Sequence, residues 1–146
     1  MKTPHLLLVE ARYYSHISDF LRQGAERALA QAGATFEAVT VPGAFELPGA
    51  IAAAAKSGEF DGFVALGCVI RGETSHYDHV CNESARGLQE LASRDGLAIG
   101  FGIATCENEA QALARTSPDG RDMGGKAVRA CLTMVALKRR FAGAAH

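Results

Sequence analysis

Phe63-Val64-Ala65-Leu66-Gly67-Cys68-Val69-Ile70 runs directly into Arg71-Gly72-Glu73-Thr74-Ser75-His76-Tyr77-Asp78-His79, and the fold is decided by that junction. The first eight residues are apolar without interruption. A strand that is apolar at every position is covered on both faces, as the strands of a parallel sheet are. Beyond the junction, Tyr77, Val80, Cys81, Ser84, Ala85, Leu88, Leu91 and Ala92 recur at helical spacing. The pattern predicts a strand over Asp61–Arg71, a turn through Gly72 and a helix opening near Ser75. Ser75 and Asp78 have the spacing of a capping box.

The same alternation extends in both directions. His5–Glu10 reads as a short strand. Ser15–Ala32 reads as a helix with Ile17, Phe20, Leu21, Ala25, Ala28, Leu29 and Ala32 on one stripe, stopped by Gly33. Thr35–Val41 reads as a strand, Pro42-Gly43 as a turn, and Pro48–Lys56 as an alanine-rich helix with proline in its first turn. Downstream come a strand over Leu97–Thr105, a helix over Asn108–Thr116 with Asn108 as N-cap, a Ser-Pro-Asp-Gly loop and a last helix over Gly124–Phe141. Strands alternating with helices imply an α/β fold: a four-stranded parallel sheet with helices on both faces. The crossovers are expected to be right-handed. Ligands of such sheets bind beyond the carboxyl ends of the strands. The segments rich in functional groups all fall there: Arg12-Tyr13-Tyr14, Pro42–Glu46, Ile70–His76 and Thr105–Asn108.

Composition narrows the function classes. The chain has 146 residues, of which 48% are hydrophobic and 21% charged, and its formal net charge is -1. This is the size and balance of one ordinary globular domain, residues 1–146. No basic surplus points to nucleic acid, and no polybasic run points to a membrane surface. No stretch reaches transmembrane length. The apolar N-terminal stretch is short for a signal peptide and is interrupted by Glu10 and Arg12. Cys68, Cys81, Cys106 and Cys131 lack C-x-x-C spacing and lie in apolar contexts, so free thiols and a cytoplasmic location are expected.

Several clusters admit a chemical and a plainer reading. A helix opening directly after a strand leaves free N–H groups and the positive end of its dipole facing the ligand side. With the Thr74 and Ser75 hydroxyls, the Gly72–His76 turn can cradle a phosphate; a bare helix cap is the alternative. It does not match the P-loop pattern. His76, in the first helical turn, carries an imidazole, the side chain best suited to proton transfer near neutral pH. His79 fits a solvated helix face, and no third ligand accompanies the pair as a metal site would need. Phe45 can wall an aromatic ligand and Glu46 can accept hydrogen bonds from a polyol, or the two can serve as a core residue and a helix-start charge. Tyr13 and Tyr14 can stack on a planar ring. Arg115 can clamp a phosphate.

Taken in order, Val41-Pro42-Gly43-Ala44-Phe45-Glu46-Leu47-Pro48, Val69 through Asp78, Val80-Cys81-Asn82-Glu83, and Phe101-Gly102-Ile103 with Thr105, Glu107 and Asn108 resemble the lumazine synthase family. The resemblance runs from Leu7 to about Phe141. It implies a flavodoxin-like three-layer sandwich and a transferase. The reaction would condense 5-amino-6-(D-ribitylamino)uracil with 3,4-dihydroxy-2-butanone 4-phosphate to give 6,7-dimethyl-8-ribityllumazine, the penultimate step of riboflavin biosynthesis. By that resemblance the uracil substrate meets Tyr13, Ala44, Phe45, Glu46, Cys68, Val69, Ile70 and Phe101. Glu73, Thr74 and Arg115 meet the butanone phosphate, and His76 is the catalytic proton-transfer group. Phe101 and Arg115 would come from the adjacent subunit.

The resemblance further implies a homo-pentamer or a multiple of five, as a decamer or sixty-subunit shell, with riboflavin synthase as a candidate partner and no metal or other cofactor. Two departures stand out: Met123 occupies a position where relatives often carry lysine, and Pro118 is unusual in the same loop. Two other functions stay open. One is an archaeal-type riboflavin synthase, against which the phosphate turn argues because that reaction uses no phosphorylated substrate. The other is a non-catalytic lumazine- or flavin-binding shell protein, against which His76 and Arg115 argue together.

Overall fold

The structure is a computed structural model and describes residues 2–143. Four strands form one all-parallel sheet: β1 (His5–Ala11), β2 (Thr35–Val41), β3 (Gly62–Ile70) and β4 (Ile99–Cys106), in the order β2-β1-β3-β4. Five α-helices connect or flank them: α1 (Ser15–Ala32), α2 (Leu47–Ala55), α3 (His76–Ser93), α4 (Glu109–Thr116) and α5 (Met123–Gly143). A single 3-10 turn, Ala44–Glu46, precedes α2. After β1 the chain moves outward to β2 and then returns past β1 to β3, so strand order reverses between β1 and β3. A crevice opens at such a reversal, beyond the strands' carboxyl ends.

Side chains alternate across each strand and feed two separate cores. Leu6, Leu8, Val64, Leu66, Ala104 and Cys106 meet Leu21, Ala25, Leu29 of α1 and Val128, Cys131, Val135 of α5. On the other face Leu7, Val9, Phe63, Ala65 and Ile103 meet Leu47 and Ile51 of α2 and Val80, Leu88 and Leu91 of α3. The architecture is thus a three-layer α/β sandwich, as expected. The central strands β1 and β3 are buried along most of their length, which their apolar runs required. β2, at one edge, alternates half-buried with exposed positions, and Val39 points outward at 45% exposure.

Element ends match the sequence pattern closely, with two exceptions. The left-handed backbone at Gly33 ends α1 (φ 68°), and the Asn108 side chain accepts from the Gln111 N–H at 2.9 Å to cap α4. Ser75, however, makes no capping bond; the Thr74 hydroxyl instead accepts from the His76 N–H at 3.2 Å. Asp78 turns to Arg71 rather than back to the Ser75 N–H. The second exception is the start of α5. The Asp122 carboxylate accepts from the Gly125 N–H at 3.2 Å, and Asp122 itself sits at φ 52°. The sequence pattern opens this helix at Gly124, and in the fold it begins one residue earlier, at Met123. Here, a Cβ on Gly124 would collide with the Leu21 carbonyl, so glycine is what lets α5 close onto α1.

Among the described residues no helix is long and apolar enough to cross a membrane. Cys68, Cys81, Cys106 and Cys131 are all free.

Candidate active site

A cleft of ≈ 640 Å³ lies at the carboxyl ends of β1 and β3. That volume suits a small-molecule ligand of drug size. Three segments build its walls. Tyr13 and Tyr14 follow β1; Pro42, Gly43, Ala44, Phe45 and Glu46 follow β2; Cys68, Val69, Ile70, Gly72, Thr74, His76, Tyr77 and Val80 follow β3 and open α3. The location is the one set by the strand-order reversal. The cleft thus gathers Tyr13, Ala44, Phe45, Glu46, Cys68, Val69, Ile70, Thr74 and His76 of the expected site residues.

The aromatic walls are open. Tyr13 is 75% exposed and Phe45 58% exposed, so Phe45 is not a core residue. Tyr13 and Tyr14 meet edge to face, with centroids 4.9 Å apart. Burial pushes the Tyr14 phenol above its usual range. Cys68 closes the floor at 8% exposure. Its thiol is pushed up to about 12, first by burial and then by the neighbouring Cys106. A thiol in that state is neutral at physiological pH and presents a small apolar floor rather than a nucleophile.

Around the phosphate-type turn, every residue from Arg71 to His76 is exposed. The turn is tied to the sheet through Arg71. Its backbone N–H extends the β3–β4 ladder to the Cys106 carbonyl at 2.9 Å. Its Nε donates to Glu107 Oε2 at 2.6 Å, its Nη1 stands 3.4 Å from Asp78, and its guanidinium lies 4.4 Å from the centre of the Tyr77 ring. The bond to Glu107 raises the guanidinium's pKa further, so Arg71 stays charged. Burial likewise raises the Tyr77 phenol.

Glu73, Phe101 and Arg115 lie outside the cleft walls of this chain. Glu73 is exposed in the turn and does not line the cleft. Phe101, 45% exposed on β4, lines a separate groove with Ala85, Leu88, Ala92 and Ile99. Arg115, at the end of α4, donates to the Thr105 carbonyl. Tyr14, read from sequence as a possible stacking ring, lines the cleft, whereas Arg71, Tyr77 and Val80 belong to the site or its support and were not singled out from sequence. Tyr77 and Val80 read there as ordinary members of a helical stripe, and nothing in a linear pattern reveals that β4 ends beside Arg71. Among the described residues no group of three or more His, Cys, Asp or Glu side chains is arranged for a metal ion.

The comparison with known proteins settles the family. The 6,7-dimethyl-8-ribityllumazine synthase family model matches residues 3–139. The chain belongs to that family. A 6,7-dimethyl-8-ribityllumazine synthase of Sphingopyxis alaskensis is 58% identical over 137 residues, covering 94% of this chain and 96% of its own. The Agrobacterium fabrum protein of the same name is 53% identical over 148 residues, covering 98% of this chain and all of its own. One of Rhizobium meliloti, 6,7-dimethyl-8-ribityllumazine synthase 1, is 55% identical over 146 residues, covering 97% and 95% respectively. The chain therefore stands among the transferases of riboflavin biosynthesis, and two of its lumazine-synthase motifs, Val41–Pro48 and Val69–Asp78, supply most of the cleft wall.

Proposed function

We propose that this cleft joins 5-amino-6-(D-ribitylamino)uracil to 3,4-dihydroxy-2-butanone 4-phosphate and releases 6,7-dimethyl-8-ribityllumazine, with the whole chain acting as one lumazine-synthase domain. The observation that carries the reading is the meeting of two exposed aromatic walls, Tyr13 and Phe45, with the helix start at His76 in one cleft. The pyrimidine stacks on Tyr13 and Phe45, and its edge meets the backbone of Cys68, Val69 and Ile70. Ala44 and Glu46 receive the ribityl chain. The phosphate rests at the start of α3 beside Glu73 and Thr74, where unpaired N–H groups and the helix dipole favour an anion.

The chemistry asks little of the protein beyond placement. The uracil's 5-amino group adds to the ketone and water leaves; phosphate is eliminated; the ribitylamino nitrogen closes the ring with loss of a second water. Holding two reactants in register accounts for much of such a rate. His76 moves protons between the amine, the carbonyl carbon's neighbour and the leaving phosphate.

The site is completed between subunits of a pentamer or a multiple of five. Three things support this: the exposed rings of Tyr13 and Phe45, the apolar groove around Phe101, and a cationic Arg115 without a carboxylate partner among the described residues. Phe101 and Arg115 of one copy then cover the uracil and the phosphate of the next. A cytoplasmic enzyme that passes its product to riboflavin synthase fits this scheme.

Mixing the purified protein with both substrates and following product absorbance tests the reaction. Product formation is expected; its absence, with the protein folded, would overturn the reading. Sedimentation is expected to give a pentamer or a multiple of it, and a monomer at working concentration would remove the shared site. His76→Ala is expected to slow turnover by roughly ten- to a thousandfold with little change in substrate affinity, because orientation still contributes. Wild-type turnover in that variant would leave His76 without a catalytic role.

A further inference from the structure

The imidazole of His76 makes no hydrogen bond to another group among the described residues; only its backbone N–H does, to the Thr74 hydroxyl. A proton-transfer group works only if it is held within reach of the reacting atoms. His76 therefore takes its position from the backbone of the first turn of α3. That turn lacks the Ser75 cap and is exposed on its leading side from Arg71 to His76. An exposed, poorly capped helix start frays unless something outside the helix holds it.

Arg71 contacts that turn from outside the helix. Its Nε is bonded to Glu107, which follows β4, at 2.6 Å. From this anchor the guanidinium reaches Asp78 at 3.4 Å and lies over the Tyr77 ring at 4.4 Å. Tyr77 and Asp78 are the two residues directly after His76. The contacts use separate atoms of one planar group: Nε on Glu107, Nη1 towards Asp78, and Cζ over the Tyr77 ring. A lysine ammonium is a compact point charge and lacks the planar fork that serves two carboxylates and a ring from one rigid group. An ordinary surface ion pair would join two groups. This one joins the end of β3, the loop after β4 and the first turn of α3, and the third of these carries the imidazole.

We propose that Arg71 is a positioning residue for the reaction, clamping the first turn of α3 to the end of β4 and so holding His76 over the cleft. The proposal rests on the reading of His76 as the proton-transfer group.

Arg71→Ala, Arg71→Lys and Glu107→Gln, each in the wild-type and the His76→Ala background, test it by steady-state kinetics. Amide hydrogen exchange over the first turn of α3 is measured alongside. Arg71→Ala is expected to lower kcat about 5- to 50-fold, with the KM for the uracil substrate changed less than about twofold, since orientation rather than binding is lost. Arg71→Lys recovers only part of this, and Glu107→Gln, which removes the anchor's charge without touching the helix, reproduces part of the loss. In the His76→Ala background, Arg71→Ala costs less than about twofold, because two residues acting through one function are not additive. Equal fold-losses in both backgrounds, or full activity in Arg71→Lys, overturn the proposal. Wild-type turnover in His76→Ala would sink the reading of His76 itself. Exchange then decides the clamp separately: faster exchange of first-turn amides in Arg71→Ala supports it, and unchanged exchange overturns it.

Discussion

The Arg115 guanidinium donates to the backbone carbonyl of Thr105 at 2.8 Å and lies 3.7 Å from the Cys106 sulfur. A carbonyl holds it in place without neutralising it. The side chain is therefore fixed at the rim of β4 with its charge free for an anion, and it projects outside the cleft of its own chain. Such an arrangement suits a cation lent to a neighbouring subunit's phosphate.

Arg115→Ala is accordingly expected to weaken the phosphorylated substrate far more than the uracil substrate. Losing a partly buried arginine–phosphate contact costs on the order of 2–4 kcal/mol. Separate KM or binding measurements for the two substrates check this, and equal weakening of both would count against the placement. Met123, half-buried against the α1–α5 core, does not present a charge there. Met123→Lys should tighten phosphate binding if its stem can pass from that core to the site, with a gain that fades at high salt.

Tyr13→Ala and Phe45→Ala should each weaken the uracil substrate by about 1–2 kcal/mol, the scale of an aromatic stack with its buried area. Because both rings are largely exposed in the single chain, thermal stability of the protomer should barely change. Titration with the uracil substrate, set beside a melting curve, separates the two effects. A large loss of melting temperature with unchanged affinity would make these residues structural or assembly contacts.

The thiols predict an alkaline limit to stability. Burial pushes both Cys68 and Cys131 up to about 12. A folded-state value above the unfolded one means that the folded protein keeps protons which the unfolded chain gives up. The contribution is complete below pH 9, then falls as pH rises from about 9 to about 12. Integrated over that window it amounts to several kcal/mol at most. Urea unfolding at pH 8, 9, 10 and 11 should show stability falling above pH 9. Cys131→Ala should be less stable at pH 8 from the cavity it leaves but should show a shallower fall. An identical slope in the two proteins would contradict the assignment.

Glu10 is a buried carboxylate, 4% exposed, held by Arg12 at 2.9 Å and Arg22 at 2.7 Å. Both arginines are partly solvated, so they tolerate the loss of their partner better than a fully buried pair would. Glu10→Gln is expected to destabilise the fold by about 2–3 kcal/mol, below the usual cost of breaking a fully buried pair. Glu10 precedes the Arg12-Tyr13 turn, so the KM for the uracil substrate should rise as well. Chemical denaturation and kinetics on the same variant check both. Replacing Glu10 together with Arg12 and Arg22 by apolar residues should cost less than Glu10→Gln alone.

Local sequence alone determined the elements and the architecture of this protein. The apolar runs of β1 and β3 demanded burial on both faces, and the alternation of strands with helices then left a parallel three-layer fold as the consistent packing. The ligand side followed, because the strand ends carry Tyr13, Phe45, Ile70 and His76 in one register. These are short-range properties, and a chain read residue by residue contains them. What the linear pattern lacked were pairings between residues far apart along it. Glu107 meets Arg71 across 36 positions, and only the β3–β4 register brings them together. Asp78 has the spacing of a cap partner for Ser75, yet it faces a nearby guanidinium instead, because a charge-assisted contact outweighs a weak local cap. Gly124 stands at the start of the last helix in sequence and in the fold, but only the fold shows that α1 approaches too closely there for any side chain. Local propensity chose the pieces; tertiary contact, which depends on strand order and on the distance between surfaces, chose which side chains act together.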